Sequence, residues 1–274
     1  MLGLLVTALV VIAAIAVGVR FLESHLAFFP TRGETAAPAD LGSAFAAADI
    51  ETADRERLHG WILTNPRPRA TVLYFHGNGG NLSIWTPILT GVYRQGFTVI
   101  AFDYRGYGLS TGRPSERGLY RDADAIIEHA WRDADRSLPM IYWGRSLGTV
   151  IAAYAATRRP PDGAILEAGF PNARALIRSS PPMLFLSLFS SYRFPTSDLM
   201  RQVQAPVLVV HGDRDTVVPY ELGQSLFERI DGPKRFLKVA GGDHNDIAPP
   251  DPVSYWKAID TFIDGLQARS KTGS

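Results

Sequence analysis

Apolar residues are laid along this chain in two ways. From Leu2 to Val19 no side chain is charged, and Met1 and Arg20 bound the run. As a helix, those 18 residues would extend about 27 Å at ~1.5 Å each, close to the hydrocarbon thickness of a bilayer. The run is apolar on every face, unlike the single stripe of a surface helix. A cleavable signal peptide, with Ala14-Ile15-Ala16 as its small-residue site, is the competing reading. It would need a basic residue ahead of the apolar run, and a shorter run than this one. Residues 1–20 are therefore expected to form a transmembrane anchor. Arg20 and Arg32 follow the span and nothing basic precedes it, an asymmetry partly offset by Glu23 and Glu34. By the positive-inside rule it favours the cytoplasmic side for the rest of the chain.

After the anchor the pattern changes. Phe21–Pro30 reads as a short juxtamembrane helix closed by its proline. An Ala/Gly/Asp-rich connection follows to about residue 47 and reads as a mobile tether, so 21–47 form one linking segment. Beyond it, β-branched apolar runs at 58–64, 70–75, 97–102, 139–143, 163–167, 205–210 and 235–239 alternate with helical stretches near 82–95, 115–134, 146–158, 219–230 and 253–268. Several runs are almost continuously apolar, as in strands covered on both faces. Strand-helix alternation of this length predicts a doubly wound α/β sheet with right-handed crossovers, as one domain over 48–268. Residues 171–200 break the alternation. Their core of Met183, Leu184, Phe185, Leu186, Leu188 and Phe189 is more apolar than a solvated connection needs, which suggests a cap over an active site.

Charge and cysteine content narrow the function. Lys and Arg total 28 against 27 acidic residues, a net charge of +1. That balance, with no local basic stripe, excludes the electrostatic footprint of a nucleic-acid binder. The absence of cysteine excludes disulfide staples, thiolate metal sites and a thiol nucleophile, while leaving the redox compartment open.

The pattern G-x-S-x-G occurs at Gly144–Gly148 and at Gly108–Gly112. A nucleophile elbow needs a strand before the serine and a helix directly after it. Ser146 has MIYW ahead and LGTVIAAYAATR behind, whereas Ser110 follows a glycine-rich turn and precedes Arg113-Pro114. Ser146 is the candidate nucleophile and Ser110 a loop residue. A serine hydroxyl needs a base, and the base a third group to orient it. His25, His59 and His129 read as surface or packing residues, and His76 and His211 as strand-end braces for the following loops. His244, in GGDHND between the last strand and the final helix, lies where ligands bind in open α/β sheets. In HGDRD, Asp215 is the favoured acid; Asp213 is the alternative, more suited to bonding the turn backbone. The glycine-rich HGNGGN lets main-chain N–H groups approach a developing negative charge, which nominates the N–H of Asn78 and of Leu147 as oxyanion donors. Phosphate binding by that loop is disfavoured, because neither G-x-G-x-x-G nor the P-loop pattern is present.

The chain order Ser146, Asp215, His244 is that of α/β hydrolases. Together, LAFFP after an apolar N-terminus, HGNGGN, FDYRGYGLSTG, GRSLG, HGDRDTVVP and GGDHND resemble the membrane-anchored serine hydrolase branch of that superfamily. That branch has depalmitoylase-like, monoacylglycerol-lipase-like and serine-aminopeptidase-like members. The resemblance implies an eight-stranded, mostly parallel sheet with one antiparallel strand near its start. It also implies Ser146 as nucleophile, Asp215 as acid, His244 as base and Asn78 with Leu147 as oxyanion donors. The expected reaction is ester or thioester cleavage through an acyl-enzyme, with no cofactor or metal and a small or lipid-like acyl substrate. A peptidase would use the same triad, and a catalytically silent membrane-tethered scaffold would have lost part of it. A dehalogenase-like or epoxide-hydrolase-like enzyme would need Asp where Ser146 stands.

Overall fold

The computed structural model describes residues 23–25, 27–132, 134–180, 190–245 and 252–272, with isolated positions before residue 20. The expected anchor at 1–20 and the apolar centre of the insert, 181–189, lie largely or wholly outside them. Among the described residues no helix is long and apolar enough to cross a membrane.

The strands are β1 (Phe29–Pro30), β2 (Ala46–Glu51), β3 (Arg57–Leu63), β4 (Ala70–Phe75), β5 (Gly79–Gly80), β6 (Phe97–Phe102), β7 (Met140–Arg145), β8 (Gly163–Glu167), β9 (Val207–Gly212) and β10 (Lys234–Val239). Eight of them form one sheet in the order β10-β9-β8-β7-β4-β6-β3-β2, while β1 and β5 make a separate parallel pair. Within the large sheet β3 alone runs against its neighbours β6 and β2, and the other pairings are parallel. The central strands β4 and β7 are buried at every position, which is why their sequences are almost continuously apolar.

The helices are α1 (Leu82–Arg94), α2 (Glu116–Arg132), α3 (Leu147–Arg158), α4 (Ala173–Arg178), α5 (Thr196–Met200), α6 (Tyr220–Glu228) and α7 (Pro252–Thr272). Successive strand side chains point to opposite faces, so each strand feeds two cores. Leu73, Phe75 and Tyr142 meet Ile126, Val150 and Ile151 on one face. On the other, Val72, Ile141 and Ile165 lie in the core of Leu89, Val92, Ile259 and Ile263. Two layers of helix around a parallel sheet leave its carboxyl edge open to the loops that follow β4, β7, β9 and β10.

The segment expected as a mobile tether is instead bonded to the domain. Arg32 donates to the Ser110 and Gly112 carbonyls at 2.5 and 2.7 Å. The N–H groups of Thr35 and Ala36 donate to Ser83 Oγ at 2.9 and 3.1 Å. Residues 38–41 form a 3-10 turn, and β2 then begins at Ala46 as the edge of the sheet. The juxtamembrane helix also stops short of its proline: helical residues end at Ala27, and Phe29–Pro30 pair with Gly79–Gly80.

Candidate active site

The β7–α3 turn carries Ser146 at φ 52° and ψ −117°. A non-glycine residue at positive φ is held there only where its surroundings dictate it. Here the dictation is tight packing of backbone on backbone. A Cβ at Gly144 would collide with the Gly148 carbonyl, and one at Gly148 with the Phe75 carbonyl at the end of β4. Both glycines of GRSLG are therefore needed for the turn to sit against the sheet.

His244 Nε2 lies 3.1 Å from Ser146 Oγ, and His244 Nδ1 lies 2.8 Å from Asp215 Oδ2. Nδ1–H donating to the carboxylate leaves Nε2 as the acceptor facing the hydroxyl, the tautomer a general base needs. The second carboxylate oxygen, Oδ1, accepts from the N–H groups of Val217 and Val218 at 2.9 and 2.7 Å. Burial pushes the Asp215 carboxyl up, but hydrogen bonds from His211 and His244 outweigh it and hold the group well below the usual carboxylate range. Asp215 is thus an anion under the imidazole.

Asp213 is occupied elsewhere. It accepts from the Gly241 N–H at 2.6 Å and pairs with Lys238 at 3.1 Å, bracing the loop that bears His244. Ser110 is buried; its hydroxyl donates to the Asp103 carbonyl at 2.7 Å and accepts from the His59 N–H at 2.9 Å. His76 and His211 brace loop carbonyls, Gly77 at 2.7 Å and Val218 at 2.9 Å.

The loop after β4 brings Asn78 to the same edge. Its side chain donates to the Ala27 carbonyl at 2.7 Å and accepts from the Tyr107 hydroxyl at 2.9 Å. These two bonds fix the orientation of the side-chain amide. Leu147, first residue of α3, presents its N–H at a helix N-terminus, where the first amides have no partner within the helix.

Sequence reasoning missed what holds His244 in place. Arg145, the unspecified residue of G-x-S-x-G, is buried and donates to the His244 carbonyl at 2.6 Å. Glu167, 3.4 Å from the same guanidinium, also accepts from Trp143 at 3.2 Å and Tyr255 at 3.3 Å. Asp243 closes the other side, accepting from the His244 N–H and from Thr216, each at 2.8 Å. His211 Nε2, 3.3 Å from Asp215 Oδ2, gives that oxygen a second imidazole neighbour.

A parallel sheet with one reversed strand, and a serine elbow, histidine loop and aspartate loop at its carboxyl edge, define the α/β-hydrolase architecture. The chain belongs to that superfamily, and residues 66–202 match the family model described as serine aminopeptidase, S33. An uncharacterized protein of Mycobacterium tuberculosis is 34% identical over 260 residues, covering 92% of each chain. An uncharacterized membrane protein of Saccharomyces cerevisiae is 31% identical over 268 residues, covering 93% of this chain and 94% of its own. The lysophosphatidylserine lipase ABHD12 of Danio rerio is 34% identical over 178 residues, which is 57% of this chain and 46% of that protein. Among solved structures, a Pyrococcus furiosus esterase superposes with a TM-score of 0.67 at 18% identity, over 88% of this chain and 97% of that one.

Proposed function

We propose that this protein is a membrane-anchored serine hydrolase that cleaves carboxylic ester or thioester bonds of lipid-like acyl compounds. The observation that carries the proposal is the unbroken line from Ser146 Oγ through His244 to an ionised Asp215, set on a strained turn. Ser146 Oγ attacks the carbonyl carbon as His244 Nε2 takes its proton. The resulting imidazolium is stabilised by Asp215. The carbonyl oxygen becomes an oxyanion that accepts from the N–H groups of Asn78 and Leu147, a pair in which one donor is typically worth about 10²–10³ in turnover. Collapse of this intermediate expels the alcohol or thiol, protonated by His244, and leaves an acyl group on Ser146. Water, deprotonated by His244, then releases the acid and restores the hydroxyl. The run Leu2–Val19 would hold this chemistry beside a bilayer, on the side favoured by Arg20 and Arg32. The names of the lipase and esterase relatives agree with an acyl-ester substrate.

A peptidase reading comes from the family description. Recognition of a free amino terminus calls for an uncommitted carboxylate beside the nucleophile. Among the described residues, the acidic side chains placed around this site are engaged: Asp213 with Lys238, Asp243 with Thr216, Glu167 with Arg145. That favours the ester reading.

The test is a fluorophosphonate probe together with p-nitrophenyl ester hydrolysis. Ser146→Ala is expected to abolish labelling and to cost several orders of magnitude, roughly 10⁴-fold or more, in turnover. Ser110→Ala should remain labelled and active. Equal loss in both variants, with both folded by circular dichroism, would overturn the assignment of the nucleophile.

A further inference from the structure

The segment that leaves the apolar N-terminus is threaded through the active-site loops. Phe29 and Pro30 pair with Gly79 and Gly80, and the Thr31 N–H donates to the Gly80 carbonyl at 2.8 Å. On the far side of the stem, the Gly108 N–H donates to the Thr31 carbonyl at 2.9 Å, and the Gly33 N–H to the Gly108 carbonyl at 3.0 Å. The stem therefore lies between the loop after β4 and the loop after β6, and joins them. Tyr107 reinforces the joint. Its hydroxyl donates to Asn78 Oδ1 at 2.9 Å. Burial, with the Asp103 charge behind it, pushes that phenol well above its ordinary range, so it stays a donor.

A glycine-rich loop has no stiffness of its own, yet an oxyanion donor acts only when held close to its working geometry. In this protein the stiffness comes from outside the loop. The Asn78 side chain is gripped at both ends, by the Ala27 carbonyl of the stem and by Tyr107. The stem is gripped in turn by the insert. Glu23, itself buried, accepts from the N–H groups of Ser191 at 2.7 Å and Tyr192 at 3.3 Å, and from the hydroxyls of Ser190 and Ser191. Phe28 meets the rings of Tyr192 and Phe194 edge-on at 5.4 and 6.2 Å.

We propose that the stem from Glu23 to Gly33 is a working part of the active site: Tyr107 and the Ala27 carbonyl are positioning groups that aim the Asn78 N–H, and Glu23 fastens them to the insert. The assignment rests on the acyl-enzyme reading above, because it supposes an oxyanion to be stabilised. Its consequence is that the insert, the route to the membrane and the oxyanion loop move as one body. A displacement of residues 190–194 is delivered to Asn78 through the stem rather than through the sheet.

The test uses the full chain in detergent micelles, with a p-nitrophenyl ester as substrate and a trifluoromethyl ketone of matching chain length as probe. The ketone forms a tetrahedral adduct with the serine, so its affinity reports on the oxyanion donors, whereas KM for the ester does not. Tyr107→Phe keeps the ring and removes the hydroxyl. It is expected to lower kcat by about 10-fold, less than outright loss of a donor, with KM unchanged within about twofold and ketone affinity weakened by the same factor as kcat. Glu23→Ala should show the same signature more weakly, and Glu23→Gln, which still accepts from the Ser191 N–H, should restore most of it. The proposal is overturned if kcat stays within about twofold in both Tyr107→Phe and Glu23→Ala, or if kcat falls without a matching fall in ketone affinity. Should Tyr107→Phe fail to fold, the Glu23 pair decides by the same criteria. Failure of the underlying reading looks different: the unaltered protein would then be insensitive to the ketone, or Ser146→Ala would still turn over.

Discussion

Asp215 places both carboxylate oxygens in use, one on two backbone N–H groups and one on two imidazoles. Changing it to Asn keeps the shape but offers His244 Nδ1 an amide. The imidazole can then settle in the tautomer that points a hydrogen at Ser146. Asp215→Asn should lower turnover by roughly four orders of magnitude, the effect of the equivalent change in a serine protease. Asp213→Asn still accepts from Gly241 and loses only its exposed pairing with Lys238, so turnover should stay within about threefold. Steady-state kinetics on the two variants separates the roles, and the reverse ranking would hand the acid's part to Asp213. The motif GRSLG points to Ser146 by its glycines, and the two acidic loops by their place after apolar runs. Arg145 is illegible in that pattern. Its position tolerates any residue as far as the turn is concerned, and its partner is a carbonyl 99 residues away.

At the scale of elements, Asp103 joins the end of β6 to the start of α1. It accepts from the Leu82 N–H at 2.9 Å and lies 3.5 Å from His76 Nε2, at the end of β4. Burial pushes this carboxyl up to about 8, against the downward pull of the helix N-terminus, and pushes the His76 imidazole down to about 4. The folded protein therefore keeps a proton that the unfolded chain has lost, and Asp103 makes stability fall as pH rises from about 4 to about 8. His76 opposes this, since its depressed imidazole makes stability rise with pH above about 4, and Asp54 and Asp215 work in the same direction as His76 at lower pH. Their depressed carboxyls stabilise above about 4, and that contribution is lost as pH falls. Asp103→Asn retains an acceptor for Leu82 and cannot titrate, so the change in unfolding temperature from pH 5 to pH 8 should be more positive than in the unaltered protein. Thermal unfolding of both proteins followed by circular dichroism at the two pH values checks this, and an identical change in the two would remove Asp103 as a contributor. The elements of the sheet centre are legible because burial on both faces leaves long apolar runs. The edge strand β2, with the sequence AAADIE, and the β1–β5 pair are not. Their side chains carry little pattern, and the bonds that define them are between backbones.

For the molecule as a whole, the question is where the acyl chain comes from. The stem ties Ala27–Gly33 directly to the loop after β4 that carries Asn78 and to the loop after β6. This tie is not legible in the sequence, because Phe21–Pro30 reads as a helix and the bonds of Phe29–Pro30 to Gly79–Gly80 are between backbones. Each methylene of a substrate buried against apolar surface is worth about 0.8 kcal/mol, or roughly fourfold in kcat/KM. A chain lacking residues 1–20 keeps Glu23 and the stem, and should hydrolyse esters in detergent-free buffer. Removal through residue 33 takes away the Ala27 partner of Asn78 and the Thr31 partner of Gly80, and should cost activity even on the shortest ester. With the first of these proteins, kcat/KM is expected to rise from two-carbon to twelve-carbon p-nitrophenyl esters measured below their aggregation limits. A maximum at two to four carbons would reject a lipid-type acyl substrate, while leaving the hydrolytic chemistry of Ser146 in place.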